Sequence, residues 1–209
     1  MRVAREGYPF IAAAAILLVA FGLAGWWIVF WLWLPIALWV VAFFRDPGRD
    51  KVRGADLILA PADVVVVSVI AIDEPKFLAG PATRVAIFMN VFNVHVNRYP
   101  AAGTIGLRAY RPGRFLNAGV EKASTENEQA SIGLVTSRGK LLIRQIAGLV
   151  ARRIVTDHQE GYLARQGERL GLIRFGSRVD LFLPPNTKLE VKQGDRTRAG
   201  ETVVARWTN

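Results

Sequence analysis

The sequence predicts a mainly β soluble domain preceded by an N-terminal apolar helical hairpin. Three observations lead there. Phe10 to Phe44 contains no charged side chain, and five of the six tryptophans (Trp26, Trp27, Trp31, Trp33, Trp39) lie in that run. From residue 45 onward, short β-rich runs recur between Gly, Pro and Asn signals. Charge is segregated as well. Residues 1–44 carry only Arg2, Arg5 and Glu6, so +9 of the formal net charge of +10 falls on residues 45–209.

The apolar run is too long for one span. A single helix needs about 20 residues to cross a hydrocarbon core of about 30 Å. Phe10–Phe44 as one straight helix would measure about 50 Å. A signal peptide also fits poorly, because its apolar core is about 7–15 residues and ends at a small-residue cleavage site. The expected structure is a transmembrane or membrane-inserted hairpin over residues 1–44, with arms near Tyr8–Leu23 and Trp26–Phe44 and a bend at Gly22 and Gly25. Arg2 and Arg5 precede the run while Arg45, Arg49, Lys51 and Arg53 follow it. Positive residues at both ends favour placing both ends in the cytoplasm. A shallow insertion, or a hairpin buried in a soluble protein, are the other readings. Asp46-Pro47-Gly48-Arg49-Asp50 is the expected boundary with the domain at 45–209.

Within that domain the predicted strands are Leu57–Ala60, Val64–Ile72, Arg84–Val91, Gly103–Tyr110, Ser131–Ser137, Lys140–Val155, Arg178–Leu183, Lys188–Lys192 and Thr202–Trp207. Arg138-Gly139-Lys140 reads as a hairpin turn. Arg178–Leu183 and Lys188–Lys192 alternate polar and apolar residues, as strands with one wet face do.

Several function classes are excluded. The sequence has no GxxxxGK[ST] loop, no GxGxxG after a strand, no HExxH and no GxSxG. It has no Cys, hence no disulfide or thiolate, and its two histidines, His95 and His158, make a metal site improbable. Lys and Arg are scattered rather than gathered in a stripe with aromatic interleaving, which argues against nucleic acid. Beside an apolar hairpin, attraction to anionic lipid explains the basic excess, at about 1 kcal/mol per cation near the surface.

Three stretches carry chemistry. In Leu59-Ala60-Pro61-Ala62-Asp63, a carboxylate sits directly before a Val run; alone, it is an ordinary turn former. In Phe92-Asn93-Val94-His95-Val96-Asn97-Arg98-Tyr99-Pro100, a His sits inside an apolar strand; alone, it is an ordinary core residue. In Arg174-Phe175-Gly176-Ser177-Arg178-Val179-Asp180-Leu181-Phe182-Leu183, a Gly-Ser pair joins two β runs; alone, it is a tight turn. Together and in this order they resemble the phosphatidylserine decarboxylase family, specifically its short membrane-associated bacterial proenzymes. Glu126-Asn127-Glu128 and Gln145-Ile146-Ala147-Gly148 also look like landmarks of that family.

The resemblance implies a self-cleaving, pyruvoyl-dependent carboxy-lyase. The Ser177 hydroxyl would attack the Gly176 carbonyl, and β-elimination would then give a 1–176 large chain and a 177–209 small chain, which stay together as a heterodimer. The small chain would begin with a pyruvoyl group derived from Ser177, replacing pyridoxal phosphate and needing no metal. Its ketone would form a Schiff base with the serine amine of phosphatidylserine, yielding phosphatidylethanolamine. His95 is the implied base and Asp63 the group that orients it. Asn97, Arg98 and Glu128 are further candidates for binding substrate, and Arg98 reads equally well as a surface charge. The expected partners are an anionic bilayer and no nucleic acid, with a higher oligomer left open. The expected location is the bacterial inner membrane, with the catalytic domain on its cytoplasmic side.

Two positions depart from the family pattern. Val64 stands where relatives often have Gly, and Arg98 stands where longer members carry a second His, so His95 must serve both maturation and turnover or Asn97 and Arg98 must take part. His158 lies in a polar loop outside the expected site. Val191–Val204 resembles the closing hairpin of lipoyl-like carrier or adaptor domains, and the family likewise implies barrel-sandwich-like elements. A non-enzymatic membrane-anchored carrier or adaptor is therefore the alternative, although no modifiable Lys at a turn tip is found. A decarboxylase of a related serine phospholipid shares the same chemistry.

Overall fold

The computed structural model describes residues 2–149, 153–174 and 176–208. It separates into two compact units, Met1–Gly48 and Arg49–Asn209. In the first, β1 (Arg2–Val3) pairs antiparallel with β2 (Arg45–Asp46) at the base of an α-hairpin formed by α1 (Tyr8–Leu23) and α2 (Trp27–Phe43). Gly25, with φ +70°, makes the bend, a left-handed conformation that favours glycine. The Trp33 indole N–H donates to the Ala14 carbonyl at 3.0 Å and ties the arms together. Both helices are apolar all round, and Ile16, Val19, Leu23, Trp27, Ile28 and Leu32 are exposed. Soluble helices do not present such a surface.

The second unit is mainly β. Its strands are β3 (Leu57–Leu59), β4 (Val64–Glu74), β5 (Gly80–Met89), β6 (Val96–Arg98), β7 (Gly103–Arg111), β8 (Gln129–Val135), β9 (Lys140–Ala147), β10 (Ile154–Thr156), β11 (Leu163–Ala164), β12 (Arg169–Ile173), β13 (Ser177–Leu183), β14 (Thr187–Leu189), β15 (Arg196–Thr197) and β16 (Val203–Trp207). One short helix, α3 (Ala123–Glu126), lies in the loop before β8. An antiparallel eight-stranded sheet runs β11-β7-β8-β9-β13-β5-β4-β15, and two three-stranded sheets run β10-β12-β6 and β14-β16-β3. The core forms between the inner face of the large sheet (Val85, Ile87, Ile132, Leu134, Ile143, Val179, Leu181) and apolar residues of the small ones, including Ile58, Leu170, Ile173 and Trp207. This layered arrangement suits period-2 alternation, since each strand sends every second side chain inward.

Three expectations change. The run Lys140–Val155 is two strands, β9 and β10, separated at Gly148; its residues 150–152 lie outside the described set, as does Phe175 of the third motif. The strand read around His95 is only β6, which begins after it, while β12 is the β run read before Gly176. The wet face expected for Arg178–Leu183 is overturned, because every residue of β13 is buried. Arg178 is 1% exposed and Asp180 0%. Arg178 Nε lies 2.5 Å from Asp180 Oδ1, and the Ser124 hydroxyl donates to Asp180 Oδ2 at 2.7 Å. The loop carrying α3 thus covers this face, and its polar side chains are satisfied by partners rather than by water.

Candidate active site

Ser177 is the first residue of β13, a central strand of the large sheet. It is paired with Met89 of β5 on one side and Ala147 of β9 on the other. Its side chain shares the inner face with Val179 and Leu181 and is fully buried. Its Oγ makes no hydrogen bond among the described residues. A buried hydroxyl without a partner costs about 1–3 kcal/mol, so its retention at the head of a core strand asks for a chemical reason.

The residue before it supplies the second feature. Gly176 has φ +67°, a left-handed conformation that a side chain would strain. A Cβ at Gly148 would overlap the Gly176 carbonyl oxygen. Glycine at 148 therefore leaves the space into which that carbonyl projects.

His95 lies immediately before β6 and is completely buried. An Asx-type turn shapes its approach: Phe92 N–H donates to Asn90 Oδ1 at 2.9 Å, and Asn90 N–H to Asn93 Oδ1 at 3.0 Å. This leaves the Asn93 carbonyl 3.0 Å from His95 Nδ1. On the other side of the ring, Gly176 N–H donates to Nε2 at 3.3 Å. Each contact demands the same tautomer. A carbonyl requires Nδ1 to carry the proton, and an incoming N–H requires Nε2 to offer its lone pair. The basic nitrogen thus faces the residue whose carbonyl begins the Gly176–Ser177 bond.

Asp63 is buried just before β4 and is joined to Val64 by a cis peptide bond. Its Oδ1 accepts from Ala199 N–H at 2.7 Å and its Oδ2 from Arg49 Nη2 at 3.1 Å. Arg49 also reaches Glu201 at 3.0 Å. An arginine and a backbone N–H both favour the ionised carboxylate. Arg98 N–H donates to Pro61 O at 2.9 Å, so the loop bearing Asp63 runs beside the strand that follows His95.

The other candidates fall at different distances from Ser177. Asn97 is fully buried; its Nδ2 contacts Met89 Sδ at 3.6 Å, and its Oδ1 accepts from Gln145 Nε2 at 2.8 Å. Thr156 Oγ1 donates to Gln145 Oε1 at 3.0 Å and extends the chain. Glu128 accepts Ala147 N–H on its carbonyl, which puts it in one row with Ala147 and Ser177, about 10 Å from Ser177 at two strand spacings. Burial and the neighbouring Glu128 carboxylate push the Tyr110 hydroxyl above its usual pKa. Arg98 is buried and donates to Gly167 O at 3.0 Å, a bond that ties it to the scaffold. His158 stacks on Tyr162 at 3.7 Å and meets the Tyr99 hydroxyl at 3.2 Å. Burial, with Glu168 and Asp157 nearby, pushes that hydroxyl well above its usual pKa and keeps it protonated.

A cavity of about 520 Å³ lies against the inner-face residues, lined by Arg108, Tyr110, Ala130, Ile154, Thr156 and Glu160. Thr156 connects its wall to Gln145, Asn97 and Met89. Among the described residues, no three His, Asp or Glu side chains are placed to hold a metal ion.

Sequence reasoning gave no role to four residues that shape this site. They are Asn93, which orients the imidazole; Arg49, which pairs Asp63; Gly148; and Asn127, whose Nδ2 donates to Ala147 O at 2.7 Å beside Ser177. Asn127 and Gly148 fall in the two landmark segments, which was the only signal they offered.

A family model described as phosphatidylserine decarboxylase matches residues 36–205. A relative named phosphatidylserine decarboxylase proenzyme, from Magnetococcus marinus, is 47% identical over 207 residues, covering 98% of this chain and 94% of that protein.

Proposed function

The chain belongs to the phosphatidylserine decarboxylase family, and from that premise we propose that it cuts itself between Gly176 and Ser177 to make its own pyruvoyl group. The observation that carries this reading is the pairing of a Ser177 hydroxyl that is unbonded among the described residues with a His95 lone pair directed at Gly176.

The steps balance on the chain's own atoms. With His95 taking the hydroxyl proton, Ser177 Oγ bonds to the Gly176 carbonyl carbon. The carbon–nitrogen bond breaks and the nitrogen receives a proton, leaving an ester. Loss of the Ser177 α-proton then expels the Gly176 carboxylate and ends the 1–176 chain. Water replaces the nitrogen of the remaining dehydroalanine, and ammonia leaves. Asp63, bonded to Arg49 and Ala199 N–H on the loop beside β6, keeps a supporting role for His95 in this reading. Gly148 leaves room for the carbonyl carbon to become tetrahedral.

The pyruvoyl ketone supplies the electron sink for loss of CO2 from the serine headgroup. The buried Ser177 suits it, because a dry, apolar surround favours departure of neutral CO2. His95 stands where it can return a proton to the substrate carbon. The cavity lined by Thr156 and Tyr110 is the headgroup approach, and Asn97, joined to that wall through Gln145 and Thr156, and Glu128 keep their substrate-binding roles in this reading. Arg98 is a scaffold residue in this reading.

Denaturing electrophoresis of active enzyme tests the cleavage. Two chains, 1–176 and 177–209, are expected; one intact 23.1 kDa band in an active preparation contradicts it. Gly148→Ala is expected to give a folded chain that cleaves at least ten times more slowly, because its methyl group meets the Gly176 carbonyl.

The hairpin is the proposed membrane anchor. Arg5–Leu23 is long and apolar enough to cross a bilayer, with Trp27–Phe43 a shorter apolar helix. Both ends of the hairpin carry arginine, which favours the cytoplasmic face of the inner membrane. Leu17→Arg places a charge mid-helix at about 2.5–3.5 kcal/mol. Flotation with phosphatidylserine vesicles is expected to fall for this variant while self-cleavage persists; unchanged flotation contradicts the anchor.

A further inference from the structure

The outer face of the large sheet carries a second cluster of charge, on the side away from Ser177. Arg84, Arg144 and Arg178 project there from β5, β9 and β13. Two carboxylates answer them. Asp180 is shared by Arg178 and by Arg84, whose Nε lies 3.7 Å away. Glu121 is likewise shared, touching Arg84 Nη2 and lying 3.8 Å from Arg178 Nη2.

Arg144 is left over. Among the described residues it has no carboxylate partner, and its Nε donates only to Ser131 Oγ at 3.3 Å. Its guanidinium lies over the Phe182 ring at 4.6 Å, which holds the fork in one plane. Burial pulls its pKa below the usual arginine range, against the fields of Asp180 and Glu74. A partly buried cation without an ion pair of its own is expensive.

A cavity of about 370 Å³ opens on this guanidinium, lined by Lys76, Tyr110, Arg111, Ser131, Arg144 and Phe182. Asp73 and Glu74 also line it, but Glu74 is committed, since its Oε2 accepts the N–H groups of Phe77 and Leu78 at 2.8 and 2.9 Å. Arg111 is tied by one nitrogen to the Thr125 carbonyl.

We propose that this outer-face cavity binds a phosphate group, gripped by the Arg144 fork on Phe182 with Lys76 and Arg111 at its mouth. Three cations around one void, one of them planar and pre-oriented, match a tetrahedral anion better than a lone carboxylate. The phosphate is either free or the phosphodiester of an anionic lipid, and the two sources are separable.

The full chain in neutral detergent, at fixed ionic strength, is titrated by calorimetry with inorganic phosphate and separately with monomeric dihexanoyl-phosphatidylglycerol. Saturable binding of at least one probe is expected. Arg144→Gln is expected to weaken it about tenfold, as loss of a charge-assisted pair does, with self-cleavage unchanged. Arg144→Lys keeps the charge, loses the fork, and is expected to fall between; it also serves if the glutamine variant does not fold. Binding of inorganic phosphate identifies a free-anion site, and binding of the lipid alone identifies a headgroup site. Absence of saturable binding by both probes, or wild-type affinity in the folded Arg144 variants, overturns the proposal.

Discussion

Ser177→Ala is expected to leave a single full-length chain that releases no CO2 from phosphatidylserine. The loss should be complete, because the variant has neither a nucleophile for the Gly176 carbonyl nor the oxygen that departs in elimination. Misfolding is not the expected cause. Among the described residues the wild-type hydroxyl is buried without a hydrogen bond, so its removal relieves about 1–3 kcal/mol of unsatisfied burial. A small methyl fits the same place between Met89 and Ala147. The variant should therefore melt cooperatively while remaining uncut and inactive. Cleavage at 176–177, or CO2 release at a wild-type rate, would show that the electrophile arises elsewhere.

His95→Gln separates chemistry from packing. A glutamine side chain can still accept the Gly176 N–H that now reaches Nε2, and it is close in length to the imidazole. It cannot take a proton near neutral pH. Self-cleavage is expected to slow by about 10²-fold or more, the usual contribution of a positioned base. Any matured fraction is expected to turn over slowly as well, because the other histidine, His158, is occupied with Tyr99 and Tyr162. Normal maturation together with normal turnover in this variant would remove His95 from both roles.

The hairpin was legible because a run without charge has few soluble explanations, and its bend falls at Gly25 where a left-handed residue is required. The longer strands were legible from their β-branched runs and the Gly and Pro signals that end them. The burial of the polar residues of β6 was not. β6 consists of Val96, Asn97 and Arg98, and nothing local says that a polar pair will be buried. Asn97 is satisfied by Gln145, 48 positions away, and Arg98 by the Gly167 carbonyl, 69 positions away. Their strand character comes from pairing with distant partners rather than from propensity.

The same limit explains the misread face of β13. Arg178 and Asp180 alternate as solvent-facing residues would, but Ser124, 56 positions before Asp180, arrives on a loop to cover them. Period-2 alternation reports polarity, not water. The site was legible to a similar depth. Asp63, His95 and Ser177 each had a bland local reading, and only their order suggested chemistry. Arg49 stayed hidden because it sits at the domain boundary, where a basic residue beside an apolar hairpin already has an explanation.

The most direct measurement is the intact mass of the small chain from active enzyme. A chain of residues 177–209 lighter by one ammonia than its serine-started form is expected, since the pyruvoyl group replaces the terminal amine by a ketone. A small chain with the mass of an unmodified N-terminal Ser177, or only the uncut protein, would contradict self-generated pyruvoyl chemistry.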